Sequence, residues 1–385
     1  MSAKTQISMI SALAYPDRVC GFAFNTYIPQ TKHSSKLLAA MDQSFPALES
    51  LEIYCLGSKP PPFLTGQVPR LRRLKYGGFI TDFYRILPYT TSLVDLSFGL
   101  HMVTSWPLET HLLVHLQGLS SLRRLEVEMK YTPRETPPRE RGEVLLPNLT
   151  FFSFTGALSV LDALITDLVA PSLRELRISI LSRACAPPPT LTPTHLISFI
   201  RNAGRQFFSA RFDISKKAMN IITSTHPCST DNIPFRITAS GVRSISLMSH
   251  LLSEVLATVE DVLLSPPFDL KSLTSPFEGP VHCHTFFTSF HSAKIIRVSP
   301  GIEQEIGDIF RHEELPSDLL PSLEQIELNA TTRSCTPTPM DENQVACFLE
   351  LFNSFVDARQ QAGHIVKVHW NSDRVLPEYF CDTDM

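Results

Sequence analysis

The densest group of side chains able to do chemistry in this chain is His282-Cys283-His284, with His291 close behind. On an extended chain alternate residues share a face, so His282 and His284 would offer two of the four ligands of a tetrahedral zinc site. No recognised spacing supplies the rest, and no metal or other cofactor is expected. Eight cysteines (Cys20, Cys55, Cys185, Cys228, Cys283, Cys335, Cys347 and Cys381) are scattered singly, without the spacing of a zinc knuckle or redox motif, and read as reduced thiols. No G-x-S-x-G turn presents a nucleophile, and no G-x-G-x-x-G or G-K-[ST] loop cradles a phosphate. Carboxylates such as Glu126, Glu128, Glu175 and Glu327 alternate with arginines, which suits a solvated strand face better than an acid–base pair. The chain is therefore expected not to be an enzyme.

Bulk properties narrow the partner. A formal net charge of -4 argues against nucleic acid and against an anionic membrane, since both attract clustered Lys and Arg. With 43% hydrophobic and 19% charged residues the chain can bury a continuous core. The first apolar stretch is broken by Ser8 and Ser11, too short and polar for a signal peptide. No other window reaches the roughly 18 to 20 apolar residues of a spanning helix. A cytoplasmic or nuclear location is expected.

What must position the charged residues is a repeated phrase: apolar, two variable residues, apolar, one variable, apolar. It is clearest behind a proline, at Leu48-Leu51-Ile53 after Pro46, Leu71-Leu74-Tyr76 after Pro69, Leu173-Leu176-Ile178 after Pro171 and Leu323-Ile326-Leu328 after Pro321. Further copies are Leu93/Leu96/Phe98, Leu122/Leu125/Val127 and Leu149/Phe152/Phe154, with weaker ones at Val19/Phe22/Phe24, Val242/Ile245/Leu247, Val259/Val262/Leu264, Ala293/Ile296/Val298 and Ile365/Val368/Trp370. In the first half the copies recur at a leucine-rich-repeat period. The last two apolar positions lie two residues apart, so on a strand both turn inward and their neighbours turn outward. The outward candidates for partner contact are Arg73, Lys75, Asp95, Arg124, Glu126, Glu175, Arg177, Gln325 and Glu327.

Stripes of helical spacing lie between the phrases: Leu158-Leu161-Leu164-Ile165-Leu168 ahead of a stop at Pro171, Leu112-Leu113-Leu116, Leu196-Phe199-Ile200, and Val345-Phe348-Leu349-Phe352-Val356 ending near Gly363. Neither strand nor helix buries its apolar side alone, so neighbouring units must stack. The expected fold is α/β, an irregular leucine-rich-repeat solenoid with parallel strands on the concave side and helices on the convex side. Residues 1–14 form a lead-in, 15–370 the solenoid with an irregular stretch at 181–300 read as degenerate repeats, and 371–385 a flexible tail. Proline-rich stretches at 59–62, 132–142, 186–189 and 265–280 read as exposed loops.

The proline-led phrases resemble the repeat region of the F-box proteins abundant in mushroom-forming fungi. The resemblance implies that the repeats capture a substrate, while an N-terminal F-box docks on the adaptor of a cullin-based ubiquitin ligase. The chain departs from that pattern twice. Its first strand phrase begins at Val19, leaving no room for an F-box, so a cullin adaptor would join only if one is encoded upstream. The asparagine ladder is also absent, because the corresponding positions are Leu56, Phe79, His101, Lys130 and Leu181. The function expected is a non-catalytic protein-interaction module binding a protein on its concave strand face. Two versions are carried forward: substrate recognition for an F-box-type ligase, and a stand-alone inhibitor or scaffold that blocks another protein's active site.

Overall fold

A computed structural model describes residues 3–26, 43–55, 68–78, 91–100, 113–129, 143–181, 194–202, 209–214, 218–224, 235–240, 256–265, 286–299, 320–329 and 342–371. The chain forms two compact units, Met1–Leu181 with Ser198–Gly204, and Ser182–Ile197 with Arg205–Met385.

In the first unit helix α1 (Ala3–Leu13) leads into strands β1 (Gly21–Thr26), β2 (Ser50–Cys55), β3 (Arg73–Gly78), β4 (Asp95–Leu100), β5 (Arg124–Met129), β7 (Phe151–Gly156) and β9 (Glu175–Leu181), paired side by side in that order. Every one of these pairings is parallel. Parallel neighbours cannot be joined by a tight turn, so the chain returns behind the sheet after each strand, which makes the array a coil. The register stacks like on like. Leu51, Leu74, Leu96, Leu125, Phe152 and Leu176 form one inward row, and Ile53, Tyr76, Phe98, Val127, Phe154 and Ile178 the next. All are buried, each worth about 1.5–3 kcal/mol of transfer free energy for a typical large apolar side chain.

Among the described residues a β-turn that the sequence pattern does not reveal precedes the clear phrases. The carbonyls of Phe45, Val68, Leu119, Leu146 and Ala170 accept the N–H groups of Leu48, Leu71, Leu122, Leu149 and Leu173 at 3.0–3.2 Å. Pro46, Pro69, Pro147 and Pro171 occupy the second turn position, where their fixed φ belongs. The residue ahead of the proline is itself buried, so the repeat carries one more apolar position than its phrase shows. Pro171 therefore belongs to a turn and stops no helix. The helix before it, α2 (Leu158–Ile165), ends at Thr166, whose hydroxyl donates to the Asp162 carbonyl at 2.6 Å. Leu168 lies instead in β8 (Leu168–Val169), paired with β6 (Val144–Leu145).

The turns are tied together by side chains. Ser92 Oγ donates to the Pro69 carbonyl at 2.9 Å, Asn148 Nδ2 to that of Ser120 at 2.9 Å and Ser322 Oγ to that of His291 at 2.7 Å. In all three the donor is the third residue of one turn and the acceptor the second residue of the turn before it. A polar ladder thus exists on the turn ahead of the strands. Of the positions where an asparagine ladder would stand, Leu56, Phe79, His101 and Lys130 lie outside the described residues, and Leu181 ends β9.

The second unit orders its strands β12 (Phe235–Ser240), β11 (Ala218–Ser224), β10 (Ser209–Ile214), β13 (Asp261–Ser265), β14 (Ile295–Val298), β15 (Gln325–Asn329) and β16 (Lys367–Asn371). From β10 through β13 to β16 the pairing is parallel and inward rows continue through Val262, Ile296 and Ile326. The pairs β10–β11 and β11–β12 are antiparallel, unlike the degenerate parallel repeats expected there. Only residues 215–217 and 225–234 connect these strands, too few for a crossover. The phrase at Val242/Ile245/Leu247 lies outside the described residues. In the last phrase Ile365 is exposed and Val366 is buried in its stead.

Helix α3 (Thr194–Asn202) buries Leu196, Phe199 and Ile200, with the Phe199 ring edge-on to Phe152 at 6.1 Å. Helix α4 (Glu342–Gln361) ends in a Schellman motif: Gly363 N–H donates to the Gln360 carbonyl and His364 N–H to that of Arg359, at 3.0 and 2.9 Å. Gly363 has φ +85°, which glycine adopts freely. Buried on this helix, Arg359 donates Nη2 to the Pro321 carbonyl at 3.0 Å. It caps the turn carbonyl that a following Ser or Asn satisfies elsewhere.

Candidate functional site

Because parallel register stacks like positions, the outward residues of the first unit also fall into rows. The first row runs Ser50, Arg73, Asp95, Arg124, Phe151, Glu175 and the second Glu52, Lys75, Ser97, Glu126, Ser153, Arg177. A third holds Tyr54, Gly77, Gly99, Glu128, Thr155 and Ser179. Seven residues expected to contact a partner, Arg73, Lys75, Asp95, Arg124, Glu126, Glu175 and Arg177, thus share one face.

Toward one end of this face, on β7, is Phe151, a phenyl ring among polar neighbours. Arg124 lies over the ring with its guanidinium carbon 3.8 Å from the centroid, and Arg177 approaches to 5.4 Å. Each arginine also grips the carboxylate two residues away on its own strand: Arg124 donates Nε and Nη2 to Glu126 Oε1 at 3.0 and 2.5 Å, and Arg177 donates Nε to Glu175 Oε1 at 2.6 Å. The arginine side chains remain 47% and 42% exposed, so each ion pair contributes about 0–1 kcal/mol, and stacking of these half-exposed guanidinium groups on the ring about 0.5–1 kcal/mol. Their joint effect is positional, since two long side chains are held in place before any partner arrives. Phe151 is almost fully buried, with the guanidinium groups of both arginines lying over its ring. The sequence signal for it was available: in Phe151-Phe152-Ser153-Phe154 an apolar residue breaks the inward–outward alternation.

A second cluster lies at Tyr54, with Lys75 Nζ 5.5 Å from its ring centroid and 3.4 Å from Glu52 Oε1. A hydrogen bond with Tyr54, helped by the neighbouring charges of Tyr54 and Glu52, raises the Lys75 ammonium above the ordinary lysine range despite some burial.

In the second unit the polar face is built differently. Arg297 donates Nε to Glu327 Oε2 at 2.7 Å, directly across the register, and Nη1 to Asp261 Oδ2 diagonally. Gln325 Nε2 donates to Glu327 Oε1 at 2.8 Å. Side-chain exposure falls to 15% for Arg297, 12% for Asp261 and 10% for Glu327. Burial works against the Arg297 charge, but the pull of Asp261 and the hydrogen bonds to Glu327 and Asp261 outweigh it and hold the guanidinium above its usual range. Glu327 and Gln325, expected as outward partner contacts, share the strand register of the polar face, but Glu327 is buried within this ion network. Arg297 and Asp261, not singled out from the sequence, are its core.

The histidine and cysteine residues His282, Cys283 and His284 lie outside the described residues. His291 is exposed, and its carbonyl accepts from Ser322. Among the described residues no group of His, Cys, Asp or Glu could hold a metal ion, and no helix is long and apolar enough to cross a membrane.

No family model matches the chain, and no curated protein matches it. Among solved structures it is similar to the complex of TLR13 with the RNA ssRNA13, at 12% identity and a TM-score of 0.29, covering 80% of this chain. The chain spans 41% of the TLR13 chain's length. It is also similar to the leucine-rich-repeat-containing protein LegL7 from Legionella pneumophila, at 10% identity and a TM-score of 0.29, over 90% of this chain and 93% of that one. The phrases, turns and parallel register within each unit are those of a leucine-rich-repeat solenoid, interrupted in the second unit by the antiparallel β10–β12.

Proposed function

We propose that this chain is a non-catalytic protein-interaction module whose partner docks on the polar strand face of the first unit. Arg73, Lys75, Asp95, Arg124, Glu126, Glu175 and Arg177 are its contact residues. The observation that carries the reading is the Arg124–Phe151–Arg177 ridge. Arginine and aromatic groups dominate binding energy where two proteins meet. Here they are fixed in advance by intramolecular stacking and ion pairs, which lowers the entropy lost on docking, about 0.5–1.5 kcal/mol for each immobilised side chain. Rows of both signs select a partner of mixed charge and govern specificity and encounter rate more than affinity.

The resemblance to fungal F-box proteins extends this reading to capture of a substrate for a cullin-based ubiquitin ligase. Purification of the chain from its own cells, followed by mass spectrometry, tests both levels. Partners that the Arg124→Glu, Arg177→Glu double variant loses while keeping its fold support the binding face. Recovery of the cullin adaptor supports the ligase role, and partners without the adaptor count against it.

A further inference from the structure

The residue just before each strand from β2 to β9 belongs to a further ladder, at the entry edge of the first unit's sheet. The carbonyls of Glu49, Arg72, Val94, Arg123 and Thr150 each accept two backbone N–H groups from the next turn of the coil at 2.7–3.0 Å, which continues the stack to Arg174. Arginine recurs on every second step, with the uncharged Val94 and Thr150 between. In the second unit the same ladder reads Glu260, Lys294, Glu324, Lys367, opposite signs on successive steps, and Lys294 Nζ pairs with Glu260 Oε2 at 2.9 Å. The second unit neutralises this position within itself, and the first does not. Arg72 and Arg123 are exposed, and among the described residues neither has a carboxylate partner. Arg174 is exposed too but is engaged in a contact of its own, so Arg72 and Arg123 are the open pair. Arg73 and Arg124, the next residues along β3 and β5, place a second cation at each of these two steps.

We propose that Arg72 and Arg123 seat an acidic segment of the protein that docks on this unit, a segment with a carboxylate on every third residue. The proposal rests on the interaction reading given above and names the partner's chemistry along one edge of that interface. Like charges repeated in register do not stabilise a sheet, so their counter-charge has to come from outside. Adjacent strands lie about 4.8 Å apart, which separates the two arginines by about 10 Å. A polyproline II segment has three residues per turn and rises about 3.1 Å per residue, so its side chains at i and i+3 share an edge about 9 Å apart. Each guanidinium can grip one such carboxylate through two parallel N–H bonds. A nucleic-acid strand fits less well. Asp95 lies in register between Arg73 and Arg124, and Glu175 ends the same row, so a phosphate on every nucleotide would meet carboxylates as well as arginines.

The test is fluorescence anisotropy of the full chain with a labelled Glu-Pro-Pro repeat peptide, and with a Lys-Pro-Pro peptide and an oligothymidylate of the same length. The Arg72→Gln, Arg123→Gln variant is compared with Lys294→Gln, Lys367→Gln, which removes the same charge from the second unit's ladder. Circular dichroism confirms that each is folded. The expected result is binding of the Glu-Pro-Pro peptide and not of the Lys-Pro-Pro peptide, weakened about tenfold or more in Arg72→Gln, Arg123→Gln, in line with loss of charged hydrogen bonds, and unchanged in Lys294→Gln, Lys367→Gln. No binding of the Glu-Pro-Pro peptide, or equal weakening by the two charge-matched variants, overturns the acidic seat. Tighter binding of the oligothymidylate through the same arginines overturns it as well. Co-purified partners separate this failure from that of the binding face. Partners lost from Arg124→Glu, Arg177→Glu but kept by Arg72→Gln, Arg123→Gln overturn the seat alone, and partners kept by both variants overturn both.

Discussion

Each unit carries charge at the outward positions of its own parallel strands, yet the two use it in opposite ways. In the first, Arg124–Glu126 and Arg177–Glu175 pair along single strands, two residues apart, at side-chain exposures between 30% and 47%. In the second, Arg297 pairs across strands with Asp261 and Glu327 at 10–15% exposure. An exposed pair within one strand adds little to stability and can exchange its partner for another protein's group. A buried pair that crosses strands holds three turns of the coil in register and cannot be opened without stranding charge. Arginine–carboxylate pairs thus stay open and exchangeable in one unit and form a clamp in the other, and burial decides which.

The largest effect that separates the two is expected at the clamp. Replacing Arg297 with Ala leaves two carboxylates buried together and should cost about 3–5 kcal/mol, read from urea unfolding. If the clamp is structural and not a binding element, the combined Arg297→Met, Asp261→Val, Glu327→Leu variant should recover most of that loss, because apolar replacements of a buried ion network are often neutral or better. A loss below 1 kcal/mol for Arg297→Ala would erase the contrast between the units.

A smaller effect is expected at the end of α4. Gly363→Ala forces a side chain into the left-handed region at φ +85° and should cost about 1 kcal/mol by the same unfolding measurement. Smaller still in stability, though large in binding, is the first unit's surface. Arg124→Glu together with Arg177→Glu should shift unfolding by about 1 kcal/mol or less per site while abolishing partner binding. The smallest effect concerns pH. The Lys75 ammonium titrates above the ordinary lysine range in the folded chain, so its contribution is fully present below that range and is lost as pH rises through the raised value. Stability measured against alkaline pH should therefore fall less in Lys75→Gln than in the natural chain.

What was legible in the sequence follows from locality. Inward pairs such as Leu51 with Ile53 and Leu176 with Ile178 are two residues apart, and period-two alternation assigns them without knowledge of any other strand. The same rule placed Arg73, Lys75, Arg124 and Arg177 outward. What escaped was non-local or broke the rule. Arg297 and Asp261 meet only through a register 36 residues apart, which no local pattern encodes. Phe151 violates the alternation that identified its neighbours. The buried residue ahead of each proline, such as Val68 or Leu146, hid because the phrase is taken to start at the proline and not one residue before it, where the turn begins. The antiparallel strands β10 to β12 escaped because a degenerate repeat and a meander share the same short apolar runs.

The central claim is that the Arg124–Phe151–Arg177 ridge binds a protein. It is tested most directly by co-purifying partners with the natural chain and with the Arg124→Glu, Arg177→Glu variant in parallel, quantifying each by mass spectrometry and checking both proteins by thermal unfolding. Loss of specific partners with an unchanged unfolding curve is the expected result. An unchanged partner set, or partners lost only together with the fold, would contradict it.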